Sequence, residues 1–195
     1  LAIGSERYTP YMPAKQPAEI LTIANHVLGT GQLSLAKFLF ITADDTNQLH
    51  THHVQEYLEY LFVWFDLSRD LHFYTNTTID TLDYSGSGLK SGSKLVLAAY
   101  GEKKRELCSE IPAVLKELQQ FENAQLCMPG VIALQTKKFT TYEKAEEEMD
   151  ALNHQLSIIN YQLNEVVQLI ITDESSFTAA NLRNYLWVTY TRCNP

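Results

Sequence analysis

The sequence predicts an α/β fold in which a β–α–β–α unit occurs twice and forms a mostly parallel sheet covered by helices. Three observations predict it. Continuous apolar runs of strand length, such as Lys37–Thr42 (KFLFIT) and Val167–Thr172 (VQLIIT), suit strands buried on both faces. Between them lie stretches with apolar residues three and four apart, the helical period. The segments also recur in order. Leu1–Tyr8 aligns with Ile132–Phe139 at a shift of 131 residues and Ile41-Thr42 with Ile171-Thr172 at 130, while Tyr57-Leu58 matches Tyr185-Leu186 and Asp66 matches Asn194 at 128. Right-handed crossovers would place the helices on the faces of a shared sheet, and two units are too few for a solenoid.

The elements follow in chain order. Leu1–Tyr8 reads as a short strand broken by Pro10 and Pro13. Ile20, Ile23, Ala24 and Val27 predict a helix over 16–28, closed by Gly29. After the strand at 37–42, Ala43-Asp44-Asp45 makes a turn, and Val54, Tyr57, Leu58 and Leu61 put a helix over 54–64. Strands are expected at 71–74 and 94–99, an amphipathic helix over 102–121 interrupted at Pro112, a strand at 131–139, a helix from Tyr142 to about Tyr161, a strand at 167–172 and a last helix at 181–191. This gives a first unit with a glycine-rich loop over 1–100, a linking helix over 101–126, and a second, truncated copy over 127–195.

Composition narrows the function. A formal charge of −8 argues against nucleic acid and anionic lipid, whose binding needs a basic stripe. No apolar run approaches the ~20 residues of a membrane span, which excludes an integral segment and points to the cytoplasm. Cys108, Cys127 and Cys193 are odd in number and widely spaced, which suits reduced thiols better than a disulfide framework. The chain opens in a strand pattern without an initiator Met, and reads as a piece of something longer.

Candidate chemistry lies in a handful of motifs. The stretch Thr81–Lys94 (TLDYSGSGLKSGSK) invites a phosphate, but Gly92-Ser93-Lys94 has lysine and hydroxyl in the wrong order for a Walker loop. Gly86-Ser87-Gly88 is followed by Ser91 where a dinucleotide fingerprint has its third glycine, so a turn-rich loop is the simpler reading. His50-Thr51-His52-His53 is the sharpest metal candidate by residue type, with Glu56 one helical turn beyond His52. No further His or Cys stands near, and a polar helix start capped by Thr51 accounts for the run. Asp44-Asp45 and Asp173-Glu174 fall at the ends of buried strands, where they border a ligand crevice or serve as turns and caps. Arg192 is placed to pair with an acid, and Ser93 has no His-Asp arrangement beside it.

A family resemblance rests on Gly29, Gly31, Gln32, Lys37, Phe38, Asp44 and Asp45 in GTGQLSLAKFLFITADD, followed by a helix and FDLSRD (Phe65–Asp70). It extends to Ile79-Asp80-Thr81-Leu82-Asp83 and the loop Gly88–Lys94, and the second copy closes with Trp187, Thr191, Arg192, Asn194 and Pro195. These pieces resemble the C-terminal domain of the UbiD family, the 3-octaprenyl-4-hydroxybenzoate carboxy-lyase-like decarboxylases, over most of 1–100 and more weakly over 127–195. The resemblance implies a parent enzyme using prenylated FMN and a divalent metal for non-oxidative decarboxylation of aromatic or polyprenylated aromatic acids, in quinone biosynthesis for example. In that family an arginine and two glutamates act in preceding flavin-binding domains, and the C-terminal domain serves as lid and in a homo-oligomer. It therefore implies no catalytic, cofactor-binding or metal-binding residue in this chain, which alone would be inactive. Glu143 and Glu148 share the spacing of an acid pair but sit in an acidic helix and read as a solvated face. The alternatives are a stand-alone interaction domain, favoured by an exposed apolar patch, and an independent small-ligand binder using a strand-end crevice.

Overall fold

The computed structural model describes residues 1–8, 11, 15–86, 88–159, 162–193 and 195. Pro10, Pro13, Ser87, Tyr161 and Asn194, on which parts of the reading above fall, lie outside the described residues. The fold is mixed α/β, and the chain divides into two compact units, residues 1–104 with 190–195 and residues 105–189.

In the first unit, β1 (Ala2–Gly4), β2 (Phe38–Ala43), β3 (Leu71–Thr77) and β4 (Gly92–Ala99) form one sheet in the order β1-β2-β4-β3. β1 and β4 run parallel to β2, and β3 closes the edge antiparallel to β4. The apolar run of β2 is explained by this central place, because a strand flanked on both sides and covered on both faces has no polar side to show. Alternation sends Leu39, Ile41 and Ala43 to one face, where they meet Ile20 and Ala24 of α1 (Ala18–Leu28) and Val96 and Ala98 of β4. Ile20, Ile41 and Val96 are fully buried, each stabilising by roughly 2 kcal/mol.

The N-terminus of α1 has no side-chain cap of its own. The Glu6 carboxylate, from the segment after β1, accepts the Ile20 amide at 2.9 Å and satisfies one of the orphan donors. α2 (Val54–Trp64) buries Tyr57, Leu58, Leu61 and Phe62, the stripe expected from sequence. The Tyr57 hydroxyl donates to the carbonyls of Ala2 at 2.6 Å and Phe40 at 2.9 Å, tying β1 to β2.

In the second unit, β5 (Glu122–Met128) and β6 (Val131–Gln135) form an antiparallel hairpin, and β7 (Gln168–Thr172) pairs parallel to β6. Pro129-Gly130 supplies the turn, with Gly130 at φ +76°. A Cβ there would stand 2.8 Å from the Leu107 side chain, so both conformation and space require glycine. α3 (Tyr142–Ile159) crosses from β6 to β7 and buries Leu152 against Ile132, Leu134 and Phe121. α4 (Ser175–Ala179) and α5 (Leu182–Thr191) follow, the last two residues of α5 belonging to the first unit.

Three expectations need correction. The single sheet is two sheets, β1-β2-β4-β3 and β5-β6-β7, because each unit completes its parallel strands with an antiparallel partner of its own, β3 beside β4 and β5 beside β6. The helix expected over 102–121, the core of the linking helix placed at 101–126, is absent. Residues 122–128 are strand β5, and the stretch before it holds only a 3-10 turn at Ala113–Glu117. The spacing of Leu115, Leu118 and Phe121, all buried, is three residues throughout; a 3-10 turn has that period, and extended backbone at Leu118 and a φ of +71° at Gln120 prevent its becoming an α-helix. Finally, α2 is capped by position at His53, without a side-chain bond, rather than by Thr51.

Candidate functional site

The glycine-rich loop between β3 and β4 borders a crevice of about 550 Å³. Asp80, Leu82, Asp83, Tyr84 and Ser85 of the loop line it together with Lys37 before β2 and Tyr190, Thr191 and Arg192 at the end of α5. Each wall has a local cause. Asp80 Oδ1 accepts the Leu82 amide at 2.8 Å, and Asp83 Oδ1 accepts the Ser85 amide at 2.9 Å and its hydroxyl at 2.6 Å, two successive Asx turns. Tyr190 is held by edge-on contacts with Phe38 at 5.1 Å and Phe40 at 5.3 Å.

Lys37 joins the walls. Its ammonium lies 2.9 Å from Asp83 Oδ2, donates to Ser85 Oγ at 2.9 Å and reaches the Thr191 carbonyl at 3.5 Å. The pair is well buried, with side-chain exposures of 9% for Lys37 and 17% for Asp83. Burial opposes ionisation of Asp83, but the Ser85 hydroxyl, Lys37 and the Ser85 amide together outweigh it and hold the carboxyl below its ordinary range.

Among the described residues of the loop, several backbone amides are turned inward rather than presented to a phosphate. The amides of Leu82, Asp83, Ser85 and Ser91 bond to Asp80, Asp83 and Gly88 within the loop itself. Gly86 lies so close to the Ser91 carbonyl that a Cβ would stand 2.1 Å from it, so the glycine serves the loop's own backbone. Those four amides are therefore not available to a phosphate. Lys94, the lysine of Gly92-Ser93-Lys94, points elsewhere: it is 6% exposed on β4, and its ammonium donates to the carbonyl of Ser34, which ties two family motifs together. Burial lowers its pKa.

The other candidates separate. Asp44 is a buried turn residue whose carboxylate accepts from the Thr46 amide at 2.9 Å, the Thr46 hydroxyl at 2.6 Å and the Leu49 amide at 2.6 Å. Burial works against its charge, but these donors prevail and its pKa is lowered. Asp45 instead accepts from the Tyr100 hydroxyl and faces Lys15 at 3.5 Å. Asp173 and Glu174 are exposed, and Glu174 caps α4 by position without a side-chain bond. Glu148 accepts from Thr136 Oγ1 at 3.0 Å while Glu143 is exposed in the first turn of α3.

Arg69 and Asp70 of FDLSRD form a clasp. Asp70 is fully buried, pairs with Arg69 Nε at 2.5 Å and accepts the Asp66 amide at 2.8 Å, while Arg69 also donates to the Tyr100 carbonyl at 3.0 Å. Asp66 takes the Ser68 hydroxyl at 2.6 Å and Lys104 at 3.0 Å, which together hold its carboxyl well below the ordinary range. Among the described residues, no group of three or more His, Cys, Asp or Glu converges as a metal shell. In the sequence Lys37 and Asp83 stand only as motif positions, and no local pattern announces that they pair.

With this geometry in view, comparison with known proteins places the chain. The family model of the 3-octaprenyl-4-hydroxybenzoate carboxy-lyase C-terminal domain matches residues 1–99. The chain belongs to this UbiD family. It is 31% identical over 182 residues to an uncharacterised protein of Chlamydia caviae, covering 91% of this chain and 28% of that protein. Identity of 28% over 177 residues, again 91% of this chain and 28% of the relative, links it to a Chlamydia pneumoniae protein whose name describes a subunit of a 4-hydroxybenzoate decarboxylase. A Chlamydia trachomatis protein is 29% identical over the whole chain and 29% of its own length. The chain thus spans less than a third of the curated relatives it matches. No helix among the described residues is long and apolar enough to cross a membrane.

Proposed function

We propose that this chain is the C-terminal part of a UbiD-like non-oxidative decarboxylase acting on aromatic or polyprenylated aromatic acids, with a role in quinone biosynthesis. The observation that carries this reading is the family match over residues 1–99, joined by similarity to a relative named as part of a decarboxylase. Prenylated FMN and its divalent metal belong, on this reading, to preceding domains of a cytoplasmic parent protein, where they supply the carbon–carbon bond chemistry. This chain alone is inactive. Its residues shape a lid and oligomer domain, supported by Leu82, Tyr84 and Leu89 on the glycine-rich loop, which are 79%, 88% and 83% exposed. Apolar side chains so presented suit a covering surface.

The second unit we read as a degenerate copy of the first. In each unit a helix joins a parallel strand pair, and a fully buried tyrosine is the fourth residue of a helix beyond the second strand, Tyr57 in α2 directly after β2 and Tyr185 in α5, with the short α4 intervening after β7. The copies differ in detail, since Ile3 pairs with Thr42 but Leu134 pairs with Ile171 rather than Thr172.

The test is the intact mass of the native polypeptide, recovered from source cells with antibody to this chain, followed by assay of that polypeptide for carbon dioxide release from 4-hydroxybenzoate. A mass several times that of this chain, with cofactor-dependent release, supports the reading. A native mass equal to this chain removes the catalytic domains and leaves a stand-alone interaction or small-ligand-binding domain.

A further inference from the structure

The turn leading into α2 brings two imidazoles together outside the crevice. His50 Nδ1 and His52 Nδ1 stand 3.3 Å apart, and their ring centroids are 5.0 Å apart. That separation lies within hydrogen-bond reach, so a shared proton can hold the pair as it stands. Two imidazole nitrogens bound to one tetrahedral zinc ion at about 2.05 Å would also lie about 3.3 Å from each other, with ring centroids about 5.2 Å apart, so a cation can replace that proton without moving the rings. Both separations in the turn match the chelate.

The protonation pattern agrees. The His52 backbone amide donates to His50 Nδ1 at 3.3 Å, which puts a lone pair rather than a proton on that nitrogen. A second nitrogen facing the same lone pair needs a proton or a cation between them. The amide bond is long and the turn exposed, so little is lost if a cation takes the lone pair and water takes the amide.

We propose that His50 and His52 form a two-histidine site for a tetrahedral divalent cation of the zinc class, closing the turn between β2 and α2. No third side chain converges among the described residues, so water completes the coordination shell. The His53 ring also lies 5.6 Å from that of His50, but its Nδ1 is 3.3 Å from Glu56 Oε2, so it serves as the control for a neighbouring imidazole outside the pair. Imidazole nitrogen selects zinc, copper or nickel over magnesium and calcium, and the observed separations favour the tetrahedral ion.

The test is calorimetric titration of the untagged full chain with zinc chloride, and of His50→Asn, His52→Asn and His53→Asn variants whose melting confirms that they fold. One saturable equivalent is expected, weakened roughly tenfold or more by either of the first two changes and less than about threefold by the third. Magnesium should give no saturable binding. Absence of saturable zinc binding, unchanged affinity in both His50→Asn and His52→Asn, or equal loss in His53→Asn would each overturn the assignment.

Discussion

Lys37 is the residue on which the crevice depends. Its three donors meet a carboxylate, a hydroxyl and a backbone carbonyl from two segments distant in sequence. Replacing it by Met keeps the apolar stem and strands Asp83 as a largely buried, unpaired charge. Lys37→Met should therefore cost about 3 kcal/mol, read as a lower urea midpoint at neutral pH. A loss below about 0.5 kcal/mol, the scale of an exposed pair, would contradict the burial argument. None of this was legible in the sequence, which marks a lysine before a strand and an aspartate in a loop. Their pairing is decided by β3 and β4 bringing the loop back beside the start of β2. Asp44 was legible, because an acid directly after a buried strand and before Thr46 has a local turn to make.

At the scale of elements, local rules succeeded where period and length agreed. α2 was read at its observed bounds because Val54, Tyr57, Leu58 and Leu61 repeat at helical spacing between polar flanks. The misread stretch before β5 had a sign pointing the other way: Pro129-Gly130 between apolar runs is a hairpin turn signal, and it would have required a strand on its N-terminal side. Gly130→Ala tests that turn. The left-handed backbone and the collision with Leu107 should together cost about 2 kcal/mol, seen as a lowered melting temperature. Tyr57→Phe tests the tie between β1 and β2. Removing one hydroxyl from two buried carbonyls should cost about 1–2 kcal/mol, with faster hydrogen exchange concentrated in β1 and β2. Exchange raised evenly through both units would argue against a local tie.

For the whole molecule, the carboxyls whose pKa the fold lowers lie in the first unit. Asp44, Asp66 and Asp83 all lie there, and each has its pKa lowered in the fold. The unfolded chain, with carboxyls near pH 4, therefore binds more protons than the native one in acid. Their stabilisation is complete above about pH 4 and is lost as pH falls through the folded values. Glu6, whose pKa is raised chiefly by burial, works in the opposite sense. Hydrogen exchange followed from pH 5 down to about pH 2 should show protection lost first in residues 1–104, and Asp83→Asn should flatten that dependence. Earlier loss in residues 105–189 would place the acid-sensitive carboxylates elsewhere.

The Lys37–Asp83 pair also changes what the glycine-rich loop can respond to. A loop that bound phosphate would open and close with the supply of that ligand. Here the anion is Asp83 itself, covalently attached and present in every molecule at fixed stoichiometry. The loop's anchorage is thereby built into the chain, and protonating or replacing that one carboxylate is expected to loosen it.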